Sequence, residues 1–270
     1  MKTIVYSFSH SYGLMDNISG MLVINLLCKL KNYVFKYETS NLNINFKKYL
    51  FAEYVCVDNF KNYKHCQYIN IPSTQQFLQE LYYNSFKEEV IVVKTNLQIY
   101  EAYKNIFDME YIKSFIFENA NKLINFNIKI NNLKNNYIAI HFRFGDKYIN
   151  DNNVNQTEEN FNKIKELALK TSSKILLNNT NKILLVGDNH NIIQYIINNL
   201  DSANKNNIYF NNSNCPKHFS NINTEKELDF LMCDVYNLYY SKKNYFIGLG
   251  PGAGFAFLTS LMGNVPYERV

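Results

Sequence analysis

Apolar positions along this chain change period repeatedly, and each change marks an element. Residues 2–9 are β-branched and aromatic enough for a strand, and a polar stretch to Asn17 follows. From Ile18 through Met21, Leu22, Ile24 and Leu27 to Leu30 the spacing is helical, with Asp16 or Asn17 placed as N-cap. The pattern then predicts a strand at 33–37, a short helix over 46–53 and a strand from 66 to 71 stopped by Pro72. A helix opens at Ser73, the β-branched run 89–94 is a buried strand, and helices cover 98–107 and 111–124.

Apolar periodicity fades over 125–136, where Asn and Lys dominate, so the chain is expected to divide there into halves of 1–130 and 131–270. Beyond it come a strand at 137–142, a polar loop, a helix from 157 to 177, a strand at 182–186 and a helix at 190–200. A short strand at 207–210, a helix at 225–240, a strand at 245–249 and a helix at 252–262 complete the series. Strands alternating with helices mean parallel βαβ units. The expectation is an α/β protein of two Rossmann-like halves whose parallel sheets face a cleft.

In such sheets ligands bind beyond the carboxyl ends of the strands. Four loops fall there: 13–17, 143–151, 187–190 and 248–254, three of them in the second half. That half should bind the main ligand, and the first should close over it or supply a second substrate. The stretch His141-Phe-Arg143-Phe-Gly145-Asp146-Lys147 concentrates groups that grip an anion at the end of a strand. Of 28 Lys plus Arg only two are arginines, Arg143 and Arg269. A guanidinium fork binds phosphate in bidentate fashion where Lys cannot, so Arg143 is either an anion ligand or the partner of Asp146.

The run Gly248-Leu-Gly250-Pro-Gly252-Ala253-Gly254 fits the spacing of a dinucleotide fingerprint, but the few residues after it leave no room for a further strand with a ribose-binding acid. It is a phosphate cradle or a tight strand-to-helix turn. Asp188 either meets a ribose or base or caps the helix after it, and His141, inside an apolar strand, reads as a core histidine. The pairs Asp146/Asp151 and Asp188/His190 match metal ligands only loosely, and no metal is expected.

Composition narrows the classes. The chain has 270 residues, 47% of them hydrophobic, and a formal charge of +5 carried by dispersed lysines, so neither disorder nor a nucleic-acid face is indicated. No apolar run is long enough for a membrane helix, the start leads straight into a strand, and five scattered cysteines suggest neither disulfides nor zinc. A soluble, intracellular protein is expected.

The stretch from His141 to Lys147 resembles the H-x-R-R-x-D-K motif of the α1,6-fucosyltransferases and the H-x-R motif of α1,2- and protein O-fucosyltransferases. Tyr12-Gly13-Leu-Met-Asp16-Asn17 resembles that superfamily's N-terminal glycine loop, Val186-Gly-Asp188 its second motif, and Phe246 to Phe255 its third. The resemblance implies a GT-B-like fold and inverting, metal-independent transfer of fucose from GDP-fucose to a glycan or saccharide. The first half would be the acceptor side and the second the donor side. It implies that Arg143 holds the β-phosphate, His141 shapes its loop, and Asp188 with Gly250, Gly252, Ala253, Gly254 and Phe255 contacts the nucleotide, with Lys147, Gly13 and Asn17 added to the donor site. Asp151 is the first candidate for the base, Asp16 the second. Phe144 stands where the motif has its second arginine, and Gly252, Ala253 and Gly254 where the third motif has serines. Those departures motivate the alternative of a catalytically silent nucleotide- or sugar-binding protein.

Overall fold

In the computed structural model the described residues are 1–9, 11–39, 42, 44, 46–60, 62–68, 71–83, 86–126, 136–143, 158–178, 182–187, 189–200, 205–210, 222–248 and 254–270. They fall into two compact units, Met1–Ile128 with Phe219–Glu225, and Lys129–His218 with Lys226–Val270.

Unit 1 is a four-stranded parallel sheet of β1 (Thr3–Ser7), β2 (Val34–Glu38), β3 (Tyr63–Tyr68) and β4 (Val90–Thr95), in the order β2-β1-β4-β3. Its helices are α1 (Leu14–Lys31), α2 (Ile71–Tyr83), α3 (Ile99–Tyr103) and α4 (Met109–Leu123). α1 is apolar on almost every side, with nearly all of its residues from Leu14 to Cys28 buried. Such a helix cannot sit on a surface. It packs against β1, β2 and β4 and against the other three helices, and is the centre of this unit.

The sequence placed the start of α1 one turn too late. The helix opens at Leu14 with Gly13 as N-cap, and Asp16 is its third residue, whose carboxylate accepts from the Gly13 N–H at 3.2 Å. The helix expected over 46–53 is a single 3-10 turn, Lys47–Tyr49. Phe46 and Tyr49 are drawn into the core there. Next to them the backbone bonds to α4's end instead of to itself, Phe51 N to Leu123 O at 2.8 Å and Asn125 N to Tyr49 O at 2.9 Å. α2 begins two residues before Ser73 and takes Pro72 into its first turn, where a missing N–H costs no hydrogen bond.

Unit 2 is a five-stranded parallel sheet of β5 (Tyr137–Arg143), β6 (Lys182–Gly187), β7 (Ile208–Phe210), β8 (Asn244–Gly248) and β9 (Tyr267–Arg269), in the order β7-β6-β5-β8-β9. The helices α5 (Glu158–Leu177), α6 (His190–Asn199), α7 (Glu225–Tyr239) and α8 (Gly254–Gly263) complete it. Both faces of the sheet are covered. Ile140 and Phe142 of β5 pack with Ile164, Ala168, Ile192 and Ile196 of α5 and α6. On the other face Tyr137 and Ala139 meet Leu238 of α7, Phe246 of β8 and Ala256 of α8.

β9 is the strand for which the sequence left no room. Three residues suffice for it, pairing with β8 in parallel at the edge of the sheet. Its acid, Glu268, is exposed and pairs with Lys243 at 2.6 Å.

One buried polar network fixes β8. Asn244, fully buried, donates to Leu238 O at the end of α7 (2.9 Å) and to Ser260 Oγ of α8 (2.7 Å), and accepts from Ser241 Oγ at 2.6 Å. Truncation would remove three buried hydrogen bonds at once. Asn244→Ala is therefore expected to lose about 2–4 kcal/mol of stability, read as a lower urea midpoint with an unchanged slope.

Candidate functional site

Strand order locates the site in unit 2. From β5 the chain moves outward to β6 and β7, then crosses to the other flank of β5 as β8. The order reverses between β5 and β8, and their carboxyl ends border the crevice in which a parallel sheet receives a ligand.

Arg143 is the last residue of β5 and stands in register with Gly248, the last residue of β8. A Cβ at position 248 would lie 2.3 Å from the carbonyl oxygen of Arg143, so only glycine lets the two strands run side by side to this point. Side chains alternate along a strand, so Tyr137, Ala139, His141 and Arg143 share the face that α8 covers. α8 opens at Gly254, and its first N–H groups have no intrahelical acceptor. A half-buried guanidinium at the strand end and a helix N-terminus at the same sheet edge make a positive locus suited to a diphosphate.

His141 is 4% exposed and lies between two rings. Phe255 stacks on it at 5.4 Å and 16°, and Phe246 lies tilted at 5.7 Å. Among the described residues its Nδ1 has no hydrogen-bond partner. Burial first, and the neighbouring Arg143 cation second, push the imidazole down to about 3. The ring is therefore neutral at physiological pH, a packing element that joins β5 to the first turn of α8, and too weak a base to accept a proton there.

Of the other residues singled out in the sequence, Lys147, Asp151, Asp188, Gly250, Gly252 and Ala253 lie outside the described residues. The cap of α6 is Asn189, whose Oδ1 accepts from Ile192 N at 3.2 Å.

Gly13, Asp16 and Asn17 belong to unit 1, at the loop after β1. Asn17 is fully buried and all four of its amide positions are engaged: Oδ1 accepts from Ser9 N at 2.9 Å and Tyr6 OH at 3.4 Å, and Nδ2 donates to Ser9 O at 2.9 Å and Gly13 O at 3.1 Å. It pins the loop onto the helix. Asp16 is half-buried and accepts from Gln98 Nε2 at 3.0 Å as well as from Gly13. Gln98 escaped the reading of the sequence. It follows the carboxyl end of β4, a strand recognised from its pattern, so the loop after that strand belonged among the candidates.

Among the described residues no group of three His, Cys, Asp or Glu side chains is placed to hold a metal ion. No helix among them is long and apolar enough to cross a membrane.

No family model and no curated protein matches the sequence. Solved structures do match the fold. A mutant of Arabidopsis thaliana FUT1 in complex with GDP is similar at a TM-score of 0.61 and 10% identity, over 99% of this chain and 70% of that one. The fucosyltransferase NodZ from Bradyrhizobium reaches 0.61 at 10% identity, over 97% and 92%. POFUT1 in complex with GDP reaches 0.54 at 12% identity, over 100% and 97%. The fold is the GT-B-like fold of these fucosyltransferases. In this GT-B-like chain it comprises two parallel sheets flanked by helices.

The state of His141 makes a prediction. Its folded value of about 3 lies below the ordinary 6.5, so the unfolded chain takes up the proton more readily than the folded one. The stability it contributes is complete above pH 6.5 and is lost as pH falls from there towards 3, at up to about 1.4 kcal/mol per pH unit. Urea unfolding of the wild type and of His141→Phe at steps from pH 7.5 to 4.5 should show a shallower acid decline in the variant.

Proposed function

We propose that this protein is a glycosyltransferase that binds a GDP-sugar, and that it transfers fucose from GDP-fucose to a glycan or saccharide hydroxyl with inversion and without a metal. The observation that carries the reading is Arg143 at the strand-order reversal of unit 2, in register with Gly248 and on the face covered by α8. It is supported by neighbours of the same fold crystallised with GDP, and by NodZ α-1,6-fucosyltransferase soaked with GDP-fucose.

In this reading unit 2 holds the donor. The acceptor oxygen forms a bond to the anomeric carbon as the bond from that carbon to the diphosphate oxygen breaks. The electron pair leaves with GDP, and a carboxylate takes the acceptor's proton. The Arg143 guanidinium and the N–H groups opening α8 stabilise the charge that grows on the departing diphosphate. Lys147, Asp188, Gly250, Gly252, Ala253, Gly254 and Phe255 are the remaining donor contacts in the proposal. Neutral His141 keeps the strand end and the helix start in place. Asp151 and Asp16 are the candidate bases, with unit 1 as the acceptor side. Phe144 in place of a second arginine favours one other reading, a protein of this fold that binds the nucleotide without turnover.

Titration calorimetry with GDP, GDP-fucose, UDP, ADP and NAD tests the proposal. A charge-assisted contact is worth about 1.5–3 kcal/mol, so Arg143→Ala should bind GDP roughly 10- to 100-fold more weakly than the wild type. The wild type should prefer the guanine nucleotides. Equal binding of all five, or of GDP by both proteins, would overturn the donor site. Fucose release or transfer from GDP-fucose then separates an enzyme from a silent binder.

A further inference from the structure

In unit 1 β1 and β4, far apart in sequence, run side by side, and a side-chain hydrogen bond links the segments that follow them at the carboxyl edge. Gln98 Nε2, after β4, donates to Asp16 Oδ1, after β1, at 3.0 Å. Both partners are held from behind. Asp16 also accepts from Gly13 N at 3.2 Å. The connection carrying Gln98 is tied down on each side: Leu97 N donates to Thr95 Oγ1 at 3.2 Å, Ile99 N to Ser19 Oγ at 3.0 Å, and Tyr6 OH to Thr95 O at 2.8 Å.

The pairing fixes which way the Gln98 amide faces. A carboxylate only accepts, so the amide turns its nitrogen to Asp16 and its oxygen away from it. Among the described residues Oε1 of Gln98 has no hydrogen-bond partner, and the side chain is half-buried rather than swept by bulk water. A pre-oriented acceptor is thus held at the edge where a parallel sheet receives ligands.

Its surroundings suit one class of ligand. Tyr12, beside Gly13, is 5% exposed, and among the described residues its hydroxyl has no hydrogen-bond partner. Ser9 Oγ and Ser11 Oγ lie 2.7 Å apart on the same loop. Tyr100 offers a half-buried ring, its phenol pushed up by burial and then by the charges of Glu101 and Asp16. Acceptors, neutral hydroxyls and an aromatic face, with no Lys or Arg among them, match a neutral polyhydroxylated molecule, whereas a phosphate would meet the Asp16 charge.

We propose that Gln98, oriented by Asp16, binds hydroxyl groups of a saccharide at the carboxyl edge of unit 1. The inference rests on the transferase reading only for the choice of a saccharide among polyols. Asp16 orients the amide, and Gln98 Oε1 accepts from a sugar hydroxyl.

Saturation-transfer NMR on the full chain, with fucose, lactose and N,N′-diacetylchitobiose as probes, tests it. At least one of these saccharides should bind the wild type, and Gln98→Ala should weaken it about 5- to 10-fold, the loss of one or two neutral hydrogen bonds. Asp16→Asn should weaken it by a smaller factor, because an amide beside an amide no longer imposes one orientation. Melting temperature and GDP affinity of Gln98→Ala should match the wild type, which a general structural fault would not allow. No saccharide bound by the wild type, or equal binding by Gln98→Ala, overturns the proposal. Unchanged binding by Asp16→Asn overturns the orienting role. GDP calorimetry on the same samples reads the donor site separately, so failure of one reading is distinct from failure of the other.

Discussion

The approach of β8 to β5 at their last residues is the constraint on which the candidate site depends. Arg143 and Gly248 sit in register, and no residue with a side chain could occupy position 248 without displacing the Arg143 carbonyl. That contact sets where β8 ends and on which flank of β5 α8 begins. With the strand ends aligned, Phe255 in the first turn of α8 stacks on His141, and the N-terminus of α8 comes to the edge that carries Arg143. A glycine, a stacked neutral imidazole and a guanidinium therefore act as one assembly, with the buried Asn244 network holding the far end of β8 to α7 and α8.

The two units solve the same problem with different chemistry. In each, two strands far apart in sequence lie side by side, β1 with β4 and β5 with β8, and each places polar groups at those strand ends. In unit 2 the groups are cationic or are helix N–H donors, and the field there favours a departing anion. In unit 1 a saturated asparagine, Asn17, ties the loop down, and the groups left at the edge are a carboxylate, an amide oxygen and hydroxyls. Those favour neutral hydroxyl donors. The transfer proposed above calls for both, a phosphate leaving group and an alcohol.

Elements with strong period or composition were legible in the sequence. The largely apolar β5, the β-branched β4 and the long helices α1, α4, α5 and α7 follow from residue patterns of clear period, and their alternation implies parallel sheets. Arg143 was legible for a similar reason, since a chain that fills cationic positions with lysine kept an arginine at the end of a buried strand. Short or context-held pieces were not. β9 has three residues and two of them are charged, so only pairing with β8 makes it a strand. The turn at Lys47–Tyr49 is set by where Phe46 and Tyr49 are buried, and the first turn of α1 by an aspartate reaching back to a glycine N–H.

By itself the sequence determined the fold class, the succession of strands and helices, and the loop in which a scarce arginine stands, because those depend on period and composition read locally. Tertiary structure alone decided the strand order in each sheet, the partners of His141, and the pairing of Gln98 with Asp16. The β1–β4 and β5–β8 pairings, the His141 stack and the Gln98 contact each join residues some 80 or more positions apart, and local pattern carries no information on which distant strand end will lie alongside.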